Sequence, residues 1–441
     1  MLHDTIIALR SQQGADDWLV HHVKKASTQL YWIGAQPESR RRVDSEQVIV
    51  TVYNDHAAKS GDGLRRGEAS VTLLPGDLGD LPSRLDQAVF MASLTDNPPF
   101  GLPGPAEHPR VEIADSELYS HPEAAANNLI AQLLDALRLE KGVRLSSAEV
   151  FVEANHAYLE NSRQARGEQA STRILLDMVL LANDGDNEME SSIAFERRRA
   201  ADLDIPTLAH RYAQYARDAL VADAPRSGTF PVVVSDEALA ELMMSEGESP
   251  LVVRSAAEFK YQQMTPWQVG QTIFPEPGNG DPVTIYSNAI LPFGTRSRCY
   301  DQDGLPAQRT LIVDRGVCAQ FWASQRFAEY LDMLPTGQFG NMEVMPGKTA
   351  YDQLLLGDAP FYHIVAFSAM SPDPFTGDFV GEIRLGYEIA HGQARPIRGG
   401  SISGNLFAVL ADARLSQETC ALGDYNGPRA MRFAAVTLSG D

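Results

Sequence analysis

The stretch TGDFVGEIRLGYEIAHG, residues 376–392, limits the fold more than any other part of the chain. Phe379, Gly381, Ile383, Leu385, Tyr387 and Ile389 fall at every second position, and Glu382, Arg384 and Glu388 fall between them. A period of two puts the first set on one face of a strand and the second on the other, so this segment needs a sheet to pair with and a core to cover its apolar face. From Gln271 onward the sequence is dense in Gly, Pro and short β-like runs. Ahead of it, PVVVS reads as a strand, and a helix entered at Ser235 carries Leu239, Leu242 and Met243 on its apolar side, with Asp236 and Glu237 at its positive end. That helical stretch also holds Glu241, Glu246 and Glu248 and contains no histidine. Asn405–Ala413 reads as a short helix entered through Ser403.

The first half mixes helices and strands without a regular β-α-β alternation. The pattern predicts helices over 16–28, 81–94, 120–142 and 206–221, and strands over 42–53, 69–74, 147–153, 169–182 and 189–196. Ser120 with Glu123 forms a capping-box pattern ahead of the stripe Leu129, Ile130, Leu133, Leu134 and Leu137, and Gly142 closes that helix. Residues 96–109 are a proline-rich loop, and 155–167 is turn-rich. The order implies an α+β chain of two domains, an N-terminal mixed α/β domain over 1–223 and a β-rich C-terminal domain over 224–441, divided at ADAPRSGTFP.

With 37 Lys plus Arg against 58 Asp plus Glu, the formal charge is −21, which repels nucleic acid. The basic runs Arg40–Arg42 and Arg197–Arg199 lack interleaved aromatics and read as solvated ends. No apolar run reaches the ~20 residues of a membrane span, the start lacks a signal-peptide pattern, and Cys299, Cys318 and Cys420 are few and scattered. The expectation is a soluble cytoplasmic protein without disulfides or membrane contact.

Three chemistries can be tested on spacing. Catalytic zinc needs three protein ligands, usually two histidines one helical turn apart. None of the 10 histidines has His-x-x-x-His or His-x-x-x-x-His spacing, and read as helical, the neighbours His21 and His22 diverge. Beyond the domain boundary only His363 and His391 remain. GQFGNMEVMPGKT leaves six residues between Gly340 and Gly347, where a phosphate loop needs four before Gly-Lys-Thr. Cys420, between Glu418 and Asp424, makes a poor thiolate, and no Gly-x-Ser-x-Gly elbow is present. No catalytic residue, metal ligand or cofactor is assigned.

The second half resembles the TldD/PmbA family, the modulators of DNA gyrase. The resemblance is carried in order by YDQDGLPAQRTLIVDRGV, TGQFGN, TGDFVGEIRLGYEI, ARPIRGGSISGNLFAVL and GPRAMRFAAVTLSG, with VFVEANHAYLENSRQARGEQAST upstream. It implies a two-part subunit that dimerises, often with an unlike partner that holds zinc through His-Glu-x-x-x-His and a later cysteine and cleaves unfolded peptides. The corresponding segment here, from Asp236 through SEGESPLVVRSAAEFKYQQM, has no histidine, and Cys420 is placed near the family's cysteine ligand. The resemblance therefore implies a PmbA/TldE-like, metal-free partner of a zinc-bearing TldD-like subunit, binding extended peptide. Gly377, Phe379, Gly381, Ser401, Ser403, Gly404 and Asn405 are the candidate substrate-binding residues, holding peptide by strand addition. Two alternatives stand beside this reading: a self-sufficient peptidase acting through Cys420, and a protein-binding regulator of gyrase.

Overall fold

The computed structural model describes residues 1–58, 61, 63–245 and 249–440. Glu246, Glu248 and the final Asp441 of the predicted second domain lie outside the described residues. The fold is α+β, with helices layered on a first sheet and strands dominating the second half. No helix among the described residues is long and apolar enough to cross a membrane.

The first sheet has six antiparallel strands in the order β3-β2-β1-β4-β5-β6. These are β1 (Asp17–Ile33), β2 (Gln36–Ala57), β3 (Leu64–Leu73), β4 (Val143–Asn161), β5 (Arg166–Asp184) and β6 (Asn187–Arg197). One face carries all four long helices. Trp18, Val20, Val48, Val50, Val52 and Leu73 are buried with residues of α1 (Leu2–Ser11) and α2 (Leu81–Ala92). Further along the same face, Leu30, Val150, Val152, Ile174 and Leu176 pack with α4 (Pro122–Leu137) and α5 (Ile205–Leu220). The other face turns Leu19, Tyr53 and Leu159 toward Phe100 and Tyr300.

The helix expected over 16–28 is therefore part of a strand. Its first residues, Asp17, Trp18, Leu19 and Val20, are all buried, because helices cover one face and the second half covers the other. Burial on both faces erases the period of two, and apolar residues at both parities then imitate a helix. His21 and His22 thus point to opposite faces of the sheet. The turn expected over 155–167 shrinks to four residues. β4 runs to Asn161, whose Oδ1 accepts from the Arg163 and Ala165 amides at 2.9 and 3.0 Å and closes the turn.

The capping box at Ser120 is not formed. Ser120 ends a separate turn, α3 (Ser116–Ser120), capped by Asp115, and α4 starts at Pro122 with no side-chain cap. Proline suits that first position because its missing N–H would have no helical acceptor. Four of the five predicted stripe residues of α4, all but Leu134, are buried. The run Arg197–Arg199 is a solvated end only in part: Arg199 is exposed, but Arg198 is half-buried and donates to the Ile113, Thr295 and Ser297 carbonyls. Burial pulls its pKa down to about 10.

The second half adds β7 (Gly228–Ser235), β8 (Ile285–Asn288), β9 (Arg309–Asp314), β10 (Val317–Cys318), β11 (Asn341–Val344), β12 (Phe361–Pro372), β13 (Asp378–Ala390), β14 (Gln393–Ile397), β15 (Ser401–Asn405), β16 (Arg414–Leu415), β17 (Thr419–Leu422), β18 (Tyr425–Pro428) and β19 (Ala430–Ser439). One sheet is ordered β10-β9-β8-β11-β18-β17. The other runs β12-β7-β19-β15-β13, and β13 pairs back to β12, so five strands close into a ring. Closure leaves those strands no open edge. Phe379, Ile383, Ile402 and Phe433 fill the core together with Leu239, Leu242 and Met243 of α6 (Asp236–Met243).

The predicted alternation of β13 holds from Phe379 to Leu385 and then fails. The ladder with β12 is irregular between Ile364 and Ala369, so Glu388 turns inward, where Arg226 and Arg395 bind it. The helix after β15 begins at Leu406, and its cap is Asn405 rather than Ser403.

Candidate functional site

A cavity of about 800 Å³ lies between the helix-free face of the first sheet and the second half. Leu19, His21 and Val23 of β1, Ile49, Thr51 and Tyr53 of β2, and Glu68 and Ser70 of β3 form one wall. These are alternate residues of neighbouring strands, so the period of two is what collects them on a single face. The opposite wall comes from Gln302, Asp303, Trp322, the segment 324–327 and Gln338, with Phe100–Leu102 of the proline-rich loop at the rim.

Charge in the cavity is uneven. Arg326 is ion-paired with Glu68 and stacks on Phe100 at 4.4 Å. Asp301, beside the cavity, accepts the amides of Asp303, Leu305 and Gln338, which shapes the turn that presents Asp303. Burial first, and then the Asp301 charge, pushes the Asp303 carboxyl up to about 7. His21 is pulled below its ordinary value by burial, although it is hydrogen-bonded to the Gln302 backbone. Sequence reasoning missed this group. Its signal was Asp-Gln-Asp-Gly at 301–304, which was read only as part of a resemblance.

The wall strand β3 is also the edge of its sheet. Its outer main chain is bonded at Arg66 by Asn97 and at Glu68 by Thr95. The outward groups of Ser70 and Thr72, two and four residues on, have no such partner among the described residues.

A second polar cluster surrounds Cys420. The structure brings this thiol to the start of α6, next to Asp236 and Glu237. Asp236 is buried at φ +51°, in the left-handed region that favours glycine and asparagine. Its carboxylate binds Arg429 at 2.9 and 3.3 Å and has Arg211 at 3.7 Å. Arg211 also pairs with Glu237 at 3.3 Å, tying α5 to α6. His363 lies nearby with its Nε2 2.8 Å from the Ser235 hydroxyl, and burial pulls its pKa down to about 4. The Ser235–His363 pair has the atoms of a nucleophile and its base, but Ser235 is fully buried.

These residues do not fit a catalytic zinc. Among the described residues, no group of three His, Cys, Asp or Glu is arranged to hold a metal. The two carboxylates beside Cys420 are held by arginines, and burial with the adjacent Asp236 and Glu237 charges pushes its thiol up to about 12. A zinc-bound cysteine has to be a thiolate, and this environment opposes that form. It equally opposes Cys420 as a nucleophile.

The seven residues chosen from the sequence gather at one end of the ring and line none of the cavity. β13 is paired with β12 on one edge and with β15 and β14 on the other, so the strand addition expected there has no free ladder. Phe379 is a core residue, and Ser401, Ser403 and Gly404 of β15 pair with β13. Gly377 takes φ +80° against the Phe407 ring, and a Cβ on Gly381 would strike the Met370 methyl. Asn405 caps its helix with Oδ1 and donates to Thr376 and Asp378.

Residues 227–440 match the family model of the PmbA/TldA metallopeptidase C-terminal domain. The second half of the chain is thus similar to the C-terminal domain of the TldD/PmbA family. Among similar proteins, a metalloprotease from Methanothermobacter thermautotrophicus is 24% identical over 362 residues, 75% of this chain and 76% of that protein. A zinc metalloprotease TldD homolog from Saccharolobus solfataricus is 20% identical over 331 residues, 69% and 71% of the two chains. The crystal structure of TldE from Thermococcus kodakarensis has the same fold, with a TM-score of 0.83 at 16% identity, covering 99% of this chain and 100% of that one.

Proposed function

We propose that this chain is a metal-free, TldE-like subunit that holds extended peptide and pairs with a zinc-bearing, TldD-like subunit that cleaves it. The observation that carries the reading is the cluster at Cys420. A metallopeptidase-family fold retains a cysteine against α6, yet arginines hold the adjacent carboxylates and the one nearby imidazole is committed to Ser235. The cavity supports the second part of the reading. It is within the usual volume of a ligand site, and the strand that ends its wall, β3, has unpaired main chain along its outer edge at Ser70 and Thr72, the kind of group that binds peptide without regard to sequence.

The test is metal content, peptide cleavage and co-purification. The chain alone is expected to carry no stoichiometric zinc and to leave peptides intact, and mixing with a TldD-type subunit is expected to give a complex that cleaves them. Zinc at one equivalent with chelator-sensitive cleavage by the chain alone overturns the reading. Cleavage by the chain alone that persists in chelator and is lost in Cys420→Ala would instead establish the self-sufficient hydrolase.

A further inference from the structure

The cavity contains two polar groups without suitable partners. Tyr53 is 5% exposed, and its ring is fixed by Phe100 at 5.8 Å edge-on and by the Arg66 guanidinium at 4.9 Å. Its hydroxyl makes no hydrogen bond with any described residue, although it belongs to the cavity wall. Asp303 and Glu68 both act on that phenol electrostatically, and both line the same cavity. Asp303 accepts the Gln325 amide and has no ion-pair partner among the described residues.

The groups facing Asp303 are His21 on β1, Tyr53 on β2, Glu68 on β3, and Asp301 and Arg326 from the second half, with Glu258 also on the wall. Arg326 is the cation among them and is already bound to Glu68. An ammonium placed here would donate to the Asp303 carboxylate and to the Tyr53 oxygen together, satisfying both groups and supplying the missing counter-charge. A neutral or anionic group would leave the carboxyl dependent on its own proton.

We propose that this end of the cavity, at Asp303 and the Tyr53 hydroxyl, is a subsite for a basic side chain of the bound peptide. The inference rests on the peptide-holding reading and adds a preference to it. The chain's charge of −21 favours approach of such a peptide from any direction.

The experiment uses the full chain and two N-acetylated, C-amidated peptides that differ only in a central lysine or norleucine, so that the side chain carries the one cation. Titration by calorimetry or fluorescence anisotropy is expected to give the lysine peptide at least tenfold higher affinity at pH 8. The ratio narrows at pH 6, where a proton on Asp303 competes with the ammonium. Asp303→Asn and Tyr53→Phe each bring the ratio toward one. Equal affinities in the wild-type chain overturn the subsite and leave peptide binding standing. A lysine preference that survives both substitutions comes from the general negative field and also overturns it. Failure of both peptides to bind overturns the peptide-holding reading and the subsite with it.

Discussion

Replacing Arg429 with methionine tests whether the cluster at Cys420 is held by charge. The Asp236 side chain is 9% exposed, and Arg429 is its closest partner, with two contacts at 2.9 and 3.3 Å. Removing one partner of a buried pair typically costs about 3–5 kcal/mol, because the remaining charge stays desolvated. Arg211, 3.7 Å away, still screens Asp236, which puts the expected loss near the lower end, about 3 kcal/mol. For a cooperative unit of roughly 150–250 residues that lowers Tm by about 6–12 °C. Asp236→Asn should cost less, about 1 kcal/mol, because the Arg429 side chain is 37% exposed and can turn to water, and asparagine tolerates the φ of +51°. The double variant should then be more stable than Arg429→Met alone. Urea denaturation of the two single variants and the double gives the comparison. An Arg429→Met loss no larger than that of Asp236→Asn, or a double variant no better than Arg429→Met, would refute the argument that a buried carboxylate is what the arginine neutralises.

Asp303 sets a pH dependence of opposite sign to that of an ordinary paired carboxylate. Its folded pKa of about 7 lies above the ordinary aspartate value of 3.8, so between about pH 4 and 7 the folded state binds more protons than the unfolded one, and stability falls as pH rises through that window. Asp303→Asn removes the effect, so its stability relative to wild type should climb from pH 4 to 7 and then level off, by at most about 4 kcal/mol before cavity water screens it; a flat difference across urea titrations refutes this. Arg198→Met leaves three carbonyls, of Ile113, Thr295 and Ser297, short of a donor, at about 1–3 kcal/mol, and hydrogen exchange should quicken first around 293–299; unchanged exchange there would show that the guanidinium is dispensable. Gly381→Ala inserts a methyl against Met370 and Phe367 inside the ring and should cost about 1–3 kcal/mol with peptide affinity intact. Lost affinity in a folded Gly381→Ala chain would return the binding surface to the end of the ring chosen from the sequence.

Elements covered on one face were legible in the sequence. α2, α4, α5 and the strands β5 and β6 kept their periodicity because water on one side and core on the other maintain it. β1 was lost for the opposite reason. Helices bury Trp18 and Val20 while the second half buries Leu19, and that second covering is a tertiary fact no local window contains. β13 was read correctly until the irregular ladder with β12 reversed its faces, and the closing β12–β13 pairing, which removes its free edge, joins strands by geometry and not by pattern.

The same division explains the site. That the α6 segment lacks histidine could be read from residue types in order; that the Cys420 thiol lies against Asp236 and Glu237 is seen only in the structure. What holds the Asp236 carboxylate could not be read, because Arg211 and Arg429 are 218 positions apart and meet only across Asp236. The cavity was invisible for the same reason: His21, Tyr53, Glu68 and Asp303 come from four separate segments, each unremarkable alone. Putting these together moves the search for substrate contacts away from the ring and onto the face of the first sheet. If the metal-free reading holds, selection at the old catalytic cluster acts through folding stability, and selection on peptide binding acts at the cavity. Arg429→Met and Asp303→Asn should therefore separate, the first lowering Tm without changing lysine-over-norleucine preference, the second changing that preference in a chain that still folds.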